Sequence, residues 1–184
     1  MGSEMCIRDR NIVVIGGGMT AIDIAVQSKL LGAETVTLAY RRGVKQMNAS
    51  GFEQDLAKKS GVTIKNWVQP VKIDKNSDGS VKSIDLEYTQ ATDQGLIGTG
   101  EVISIEADMV FKAIGQALEA DQLDNNDDKL KLEKGRIAVD DDCRTNLPKV
   151  WAGGDCRVGG DDLTVAAVQD GKVAAHSIHA YLSQ

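Results

Sequence analysis

The sequence predicts an α/β fold, a parallel sheet with helices laid on it, into which an antiparallel meander is inserted. Three observations predict it. An all-apolar run, Ile12 to Ile15, passes straight into three glycines and then into a helix-forming segment. A short run that is apolar at every position is what a strand covered on both faces requires. A second run, Thr35 to Tyr40, follows the helix and completes a strand–turn–helix–strand unit. Between Val71 and Ile105 the period then changes to alternation of apolar and polar residues, the pattern of strands with one solvated face.

Composition bounds what such a fold does. The chain has 184 residues, 42% of them hydrophobic, enough for a substantial core in one large domain or two small ones. A net charge of −6 gives no electrostatic support to a nucleic-acid partner. No apolar run approaches the length of a membrane span. Cys6, Cys143 and Cys156 are scattered and form no C-x-x-C pair. That argues against a zinc or iron–sulfur site within the chain and against a disulfide scaffold, and makes a reducing cytoplasm the expected setting. Residues 1–10 lack the pattern of a signal peptide and abut the first strand without a turn signal. They are expected to be a cloning or sequence-assembly scar, with the natural protein longer than this chain.

In order, the first element is the strand ending at Ile15, followed by Gly16-x-Gly18-x-x-Ala21. After a strand and before a helix, that spacing is the fingerprint of a dinucleotide site. Gly16 permits the tight turn, Gly18 lets backbone approach a diphosphate, and Ala21 is small enough for the helix to lie on the strand. The helix N-terminus offers free N–H groups and the positive end of its dipole. The helix runs from Met19 to Leu31 and stops at Gly32. At the end of the second strand, where an NAD-binding chain usually places an acidic residue for the ribose, stand Tyr40, Arg41 and Arg42. Two guanidiniums there suit a ribose 2′-phosphate. The alternative is a pair that solvates a loop.

A short helix is expected over Phe52 to Lys59 with a stop at Gly61, then a third strand from Val62 to Trp67. The meander follows as Val71 to Asp74, Val81 to Thr89 and Val102 to Ile105, with a turn at Asn76-Ser77-Asp78-Gly79. Ala107 to Ile114 returns to a buried strand that ends at Gly115. Backbone at that edge lies where a dinucleotide sits on an open parallel sheet. Ala120 to Lys134 reads as a polar surface loop, Gly135 to Val139 as a strand, and Asp140-Asp141-Asp142 as a solvated turn rather than a cation site. Leu147 to Gly154 is expected to be a buried strand, and Leu163 to Leu182 a long helix with Val165, Ala166, Val168, Val173, Ala174, Ile178 and Leu182 on its apolar side.

The Ala152-Gly153-Gly154-Asp155 stretch has two readings. One is a strand end closed by a turn; the other is a carboxylate accepting a hydrogen bond from a hydroxyl of a flavin's ribityl chain, with the next helix N-terminus pointed at the flavin edge or phosphate. His176 and His179 lack a third ligand and read as surface residues, and Cys156 lacks a partner that would make it a nucleophile. No acid–base pair stands out, which suits hydride transfer, a reaction that needs cofactors held in register.

Taken as an ordered set, Val-Ile-Gly-Gly-Gly-Met-Thr-Ala-Ile-Asp, Tyr-Arg-Arg-Gly, Phe-Lys-Ala-Ile-Gly-Gln and Val-Trp-Ala-Gly-Gly-Asp resemble the pyridine-nucleotide-disulfide-oxidoreductase-like flavoproteins. That group includes the glutamate synthase small subunit and dihydropyrimidine dehydrogenase. The Tyr-Arg-Arg-Gly-x-x-x-Met-x-Ala-Ser stretch and the Asp-Gly-Lys-x-Ala-Ala-x-x-Ile-His ending are most similar to the FAD/NAD(P) reductase subunit of bacterial dihydropyrimidine dehydrogenase. The resemblance covers Asn11 to Leu182.

It implies a Rossmann-like NAD(P)-binding domain over 11–114, carrying the meander, and the C-terminal portion of a split FAD-binding domain over 115–184. Gly16, Gly17, Gly18, Met19, Thr20 and Ala21 would hold the NADP or NAD diphosphate, and Arg41 and Arg42 the adenosine ribose phosphate. Ala113, Ile114 and Gly115 would lie along the cofactor; Gly154, Asp155, Thr164 and Val165 would contact FAD. In the group, NAD(P)H reduces FAD, and electrons pass through iron–sulfur clusters to an FMN-containing subunit that reduces uracil or thymine. The group's first FAD fingerprint and its cluster cysteines are absent here, so the chain alone is expected to be inactive. The group often sets a further basic residue after the Arg pair, where this chain has Asn48, with Lys45 nearby. A glutamate synthase-like reductase and a non-catalytic NAD(P)-binding module are the alternatives.

Overall fold

The computed structural model describes residues 6–119 and 129–183. The chain divides into two units, Met1–Gly115 and Gln116–Gln184. In the first, the elements run β1 (Asn11–Ile15), α1 (Met19–Leu30), β2 (Thr35–Tyr40), α2 (Gly51–Lys59), β3 (Thr63–Asn66), β4 (Val68–Lys75), β5 (Val81–Thr92), β6 (Gly95–Glu106) and β7 (Met109–Lys112). One sheet has the order β3-β2-β1-β7, with every pairing parallel; a second, antiparallel, has the order β4-β5-β6.

The all-apolar character of β1 has a direct cause. Ile12 and Val14 face one way, into a cluster with Ala21, Ile22 and Ala25 of α1 and Ala57 of α2. Val13 faces the other way, into a cluster with Val68, Ile84 and Leu86 of the antiparallel sheet. Helices cover one face of the parallel sheet and the meander covers the other, so Ile12, Val13 and Val14 are all buried. Ile84 and Leu86 of β5 and Ile103 and Ile105 of β6 meet that cluster from alternate positions, which is why these strands alternate.

Helix ends are set locally. Gly32 takes φ +94°, and the amides of Gly32 and Ala33 close back on the carbonyls of Lys29 and Ser28. α2 opens on a capping box: Ser50 Oγ accepts the Glu53 amide at 3.3 Å, and the Glu53 carboxylate accepts the Ser50 amide at 2.6 Å. Residues 7–10, set aside in reading the sequence, join the unit. Ile7 packs against the helix-side cluster, the Asp9 amide bonds the Gly32 carbonyl, and Arg10 pairs with Asp108 at 3.4 Å.

The second unit contains a hairpin of β8 (Leu132–Glu133) and β9 (Arg136–Ile137), a 3-10 turn at Gly154–Cys156, and α3 (Thr164–Leu182). Its buried apolar cluster is Leu130, Ile137 and Leu147. Of the loop expected over Ala120 to Lys134, residues 120–128 lie outside the described residues; Leu132 and Glu133 form a strand instead. Lys134 and Gly135 both take positive φ, +53° and +77°, the geometry of a tight hairpin turn.

Three expectations are corrected. The strand expected over Leu147 to Gly154 does not form; only Trp151 bridges, to Arg144. Pro148 has no amide to give a ladder and Lys149 sits at φ +63°, so residues 145–150 turn back, with the Thr145 amide bonded to the Val150 carbonyl. The meander's last strand is much longer than Val102 to Ile105, because β5 and β6 continue past the alternating region to a turn between Thr92 and Gly95. Of the expected apolar side of α3, Val165, Val168 and Leu182 are exposed, at 76%, 68% and 75%, and Ala166, Val173, Ala174 and Ile178 are half-buried, while Asp170 and Ser177 are the buried residues. Ser177 Oγ accepts from Arg144 Nε at 2.8 Å and Trp151 Nε1 at 2.9 Å, so the inward side of this helix is fixed by polar contacts.

Candidate functional site

The glycine turn sits where the strand order changes direction, with β2 on one side of β1 and β7 on the other. Crevices beyond the C-terminal ends of such strands are where ligands bind in open α/β sheets. Each glycine meets different surroundings. A Cβ at Gly16, which has φ +149°, would strike the Ala113 carbonyl and lie 3.0 Å from the Ala21 Cβ. A Cβ at Gly17 would lie 2.5 Å from the Tyr40 ring. A Cβ at Gly18 would meet nothing within 4 Å.

Backbone donors collect at the same place. The Gly16 amide is taken by the Ala39 carbonyl, and α1's own bonding begins with the Ala21 and Ile22 amides on the Gly18 carbonyl. Among the described residues the amides of Gly17, Gly18, Met19 and Thr20 have no acceptor, Gly18 caps the helix without a side-chain bond, and the first turn holds no acidic residue. Four open donors at the positive end of a helix, beside a position left clear of side chains, fit a diphosphate.

Arg41 and Arg42 leave the end of β2 on a loop that is tied to Gly17 at both ends. Tyr40 lays its ring on Gly17 and donates its hydroxyl to the Gln46 carbonyl at 2.5 Å; the Ala49 amide donates to the Gly17 carbonyl at 3.0 Å. Both guanidiniums and the nearby Lys45 are exposed, and among the described residues none has an ion-pair or hydrogen-bond partner. Asn48 is exposed as well. Ala113 continues from β7 with its amide on the Ile15 carbonyl at 2.8 Å, Ile114 is 64% exposed, and Gly115 has φ +91°. The fold thus brings residues 16–21, the Arg pair and Ala113 together at one edge of the parallel sheet.

Gly154, Asp155, Thr164 and Val165 lie in the second unit. Gly154 takes φ +81° and faces Ala167 of α3, with a notional Cβ 3.6 Å from that methyl. Asp155 is exposed, and no partner for its carboxylate occurs among the described residues. α3 starts without a side-chain cap, so the amides of Thr164 and Val165 are open. An unpaired carboxylate and open helix amides are donors and acceptors of the kind a flavin's hydroxyls and phosphate take.

Sequence reasoning missed what holds this second set. Asp170, 7% exposed on α3, accepts from Arg157 Nε at 2.6 Å, from Arg157 Nη2 at 2.7 Å and from the Gly154 amide at 2.9 Å. Those bonds, the Arg157 guanidinium first and the Gly154 amide second, hold its carboxyl down at about 2. The Arg157 guanidinium is pushed up in return by its bond to Asp170. The available signal was Asp170 itself, the one acidic residue in the helix expected over Leu163 to Leu182. Cys143 is buried beneath the same helix, and burial first, then the Asp170 charge, pushes its thiol up, away from nucleophilic use. His176 and His179 are exposed. Among the described residues no helix is long and apolar enough to cross a membrane.

The family model for pyridine nucleotide-disulphide oxidoreductases matches residues 4–171. The chain is 34% identical over 185 residues to the glutamate synthase (NADPH) small chain of Escherichia coli (strain K12), across 94% of this chain and 39% of that one. It is 33% identical over 174 residues to the NAD-dependent dihydropyrimidine dehydrogenase subunit PreT of Escherichia coli O157:H7, across 94% of this chain and 37% of that one. Thioredoxin reductase from Lactococcus lactis matches with a TM-score of 0.79 at 28% identity, over 96% of this chain and 54% of that one. Thioredoxin reductase from T. acidophilum matches with a TM-score of 0.81 at 23% identity, over 99% of this chain and 56% of that one, a likeness of fold alone. A parallel sheet with helices plus an antiparallel sheet is the fold of these FAD/NAD(P)-binding reductases. The chain spans 39% and 37% of the two sequence relatives' lengths.

Proposed function

The chain belongs to the pyridine nucleotide-disulphide oxidoreductase family, and from that premise we propose that it is part of a flavoprotein reductase that takes hydride from NADPH or NADH. Gly16, Gly17, Gly18, Met19, Thr20 and Ala21 hold the coenzyme diphosphate, and Arg41 and Arg42 the phosphate on its adenosine ribose. Ala113, Ile114 and Gly115 lie along the coenzyme. Gly154, Asp155, Thr164 and Val165 supply part of a FAD site. In this reading 11–114 is the NAD(P) domain and 115–184 the C-terminal portion of a split FAD domain. The observation that carries it is the row of open amides at residues 17–20 beside an unobstructed Gly18.

When bound, a nicotinamide would supply a hydride and a flavin would accept it. The chain's own residues bind and orient. Open amides and guanidiniums hold anionic groups at fixed points, and the Asp170–Arg157 pair holds the Gly154 turn.

For the acceptor beyond the flavin we propose an FMN-containing, pyrimidine-reducing subunit in the cytoplasm; the likeness to the dihydropyrimidine dehydrogenase subunit supports it. A glutamate synthase-like reductase is the second reading. The unpaired Arg41 and Arg42 favour it, because they suit the phosphorylated coenzyme named for that relative.

Titrating the chain with NADPH and NADH tests the site. Arg41→Ala is expected to weaken NADPH by about tenfold or more, the scale of a lost charge-assisted hydrogen bond, and NADH by less than about twofold. Equal losses return the Arg pair to a solvated loop, and a wild-type chain that binds neither coenzyme ends the dinucleotide reading. For the acceptor, the complete reading frame with its partner is assayed for uracil reduction; glutamate formation in its place selects the second reading. A chain that binds coenzyme but never, in its complete form, a flavin is a binding module.

A further inference from the structure

We propose that Thr89, on β5 of the antiparallel sheet, is a positioning residue for coenzyme selection: its hydroxyl fixes the backbone that presents Arg41 and Arg42. The inference rests on the reading of that pair as the ribose-phosphate site. Thr89 is 6% exposed, and its Oγ1 donates to the Arg41 carbonyl at 2.7 Å. Its own amide donates to the Trp67 carbonyl at 2.9 Å. It sits where the β5–β6 register shifts, between Glu87 and Thr89, and such a bulge re-aims a side chain out of the regular ladder.

The next carbonyl is gripped from the same junction. Arg42 accepts from the Trp67 amide at 3.3 Å and from Asn66 Nδ2 at 3.2 Å. Trp67 reaches it by taking φ +60°, a conformation costly for a bulky side chain, and its ring closes on Gly43, where a Cβ would lie 2.8 Å from the ring edge. β2 has already ended at Tyr40, so these carbonyls lie beyond the parallel ladder. They are held by side chains and backbone from the meander's root, while the guanidiniums on the same residues stay unpaired.

The consequence is preorganisation. Two long cationic side chains start from a fixed backbone, so less freedom is lost when they close on a phosphate. Without the Thr89 hydroxyl the Arg41 carbonyl loses its partner and the loop gains alternatives. A coenzyme lacking the 2′-phosphate makes no use of the pair and is indifferent to the change.

The test measures dissociation constants of the full chain for NADPH and NADH by the fluorescence of the reduced nicotinamide, in wild type, Thr89→Val, Thr89→Ser and Arg41→Ala. Thr89→Val is expected to weaken NADPH by about tenfold, as loss of one hydrogen bond's worth of order would, with NADH within about twofold. Thr89→Ser, which keeps the hydroxyl, is expected to restore the ratio. Should Thr89→Val fail to fold, Asn66→Ala reads the same loop through the Arg42 carbonyl and is expected to show a smaller loss with the same selectivity. Equal losses for both coenzymes, or no loss, while Arg41→Ala stays selective for NADPH, overturn the positioning role and leave the Arg-pair reading intact. An Arg41→Ala chain that shows no selectivity overturns both together.

Discussion

Three adjacent glycines answer to three different constraints, and substitution separates them. Gly16 is held by the Ala113 carbonyl and a φ of +149°, so Gly16→Ala is expected to cost stability on the scale of a strained backbone, about 1–3 kcal/mol. Gly17→Ala would push the Tyr40 ring off its seat. Gly18 is different: its φ of −95° and ψ of 179° suit any residue, and a methyl there touches nothing in the protein. Gly18→Ala is therefore expected to leave the thermal midpoint unchanged or slightly raised while weakening coenzyme by about tenfold or more, because the methyl occupies the diphosphate's approach. Melting curves and coenzyme titrations on the same samples check it; wild-type affinity in Gly18→Ala means that no diphosphate lies against residue 18. The geometry of residues 15–21 was legible because it is local, a turn and a helix start spelled out in consecutive residues. Thr89 was not, because its bond to Arg41 joins residues 48 apart and no spacing rule announces it.

At the scale of elements, legibility followed coverage. β1, read as Ile12 to Ile15 and observed as Asn11–Ile15, and β2, read with its observed limits, were legible because helices and meander bury residues on both of their faces. β6 was largely missed, since Gly95, Gly98 and Gly100 erase the alternation that marks a strand. Gly98 has a reason: the Glu87 carboxylate fills the space a Cβ would take, and it bonds Gln69 and the Gly100 amide, each at 2.9 Å, across the sheet. The 147–154 segment misled because apolar composition survives in a turn when Pro148 and Lys149 break the ladder. α3 carries a pH prediction. Asp170 has its carboxyl held at about 2, below the roughly 3.9 expected of an unfolded chain. A lowered carboxyl stabilises the fold above its unfolded value and loses that contribution as pH falls through its folded one. The second unit is expected to loosen between about pH 4 and pH 2, and Asp170→Asn to flatten that acid limb while lowering stability at neutral pH. Trp151 fluorescence in a Trp67→Phe background reads the second unit alone, since the chain has two tryptophans; an unchanged acid limb in Asp170→Asn removes the pair as its cause.

Over the whole molecule, the two units differ in what holds them. The first has buried apolar clusters on both faces of its parallel sheet, with Val14, Leu38, Ile84 and Leu86 fully excluded from water. Among the described residues the second has a buried cluster of Leu130, Ile137 and Leu147, and its long helix is anchored by Asp170 and Ser177 rather than by the exposed Val165 and Val168. Apolar burial is the dominant stabilising term, and polar anchors contribute less per contact. Amide hydrogen exchange is therefore expected to be slowest in β1 and β2 and much faster in α3, with the second unit lost at lower urea than the first. Adding FAD sharpens the result. A ligand that binds only the folded form slows exchange in proportion to its occupancy. The sequence has one Gly-x-Gly-x-x-Ala turn, in the first unit, and the second offers a flavin Gly154, Asp155 and the open amides of α3. Saturating FAD is thus expected to leave α3 exchange unchanged, whereas NADPH slows exchange in residues 17–20 and in the 41–49 loop. Strong FAD protection of α3 means that the second unit holds flavin by itself, and uniform exchange in both units means that the polar anchors of α3 do the work here assigned to apolar burial.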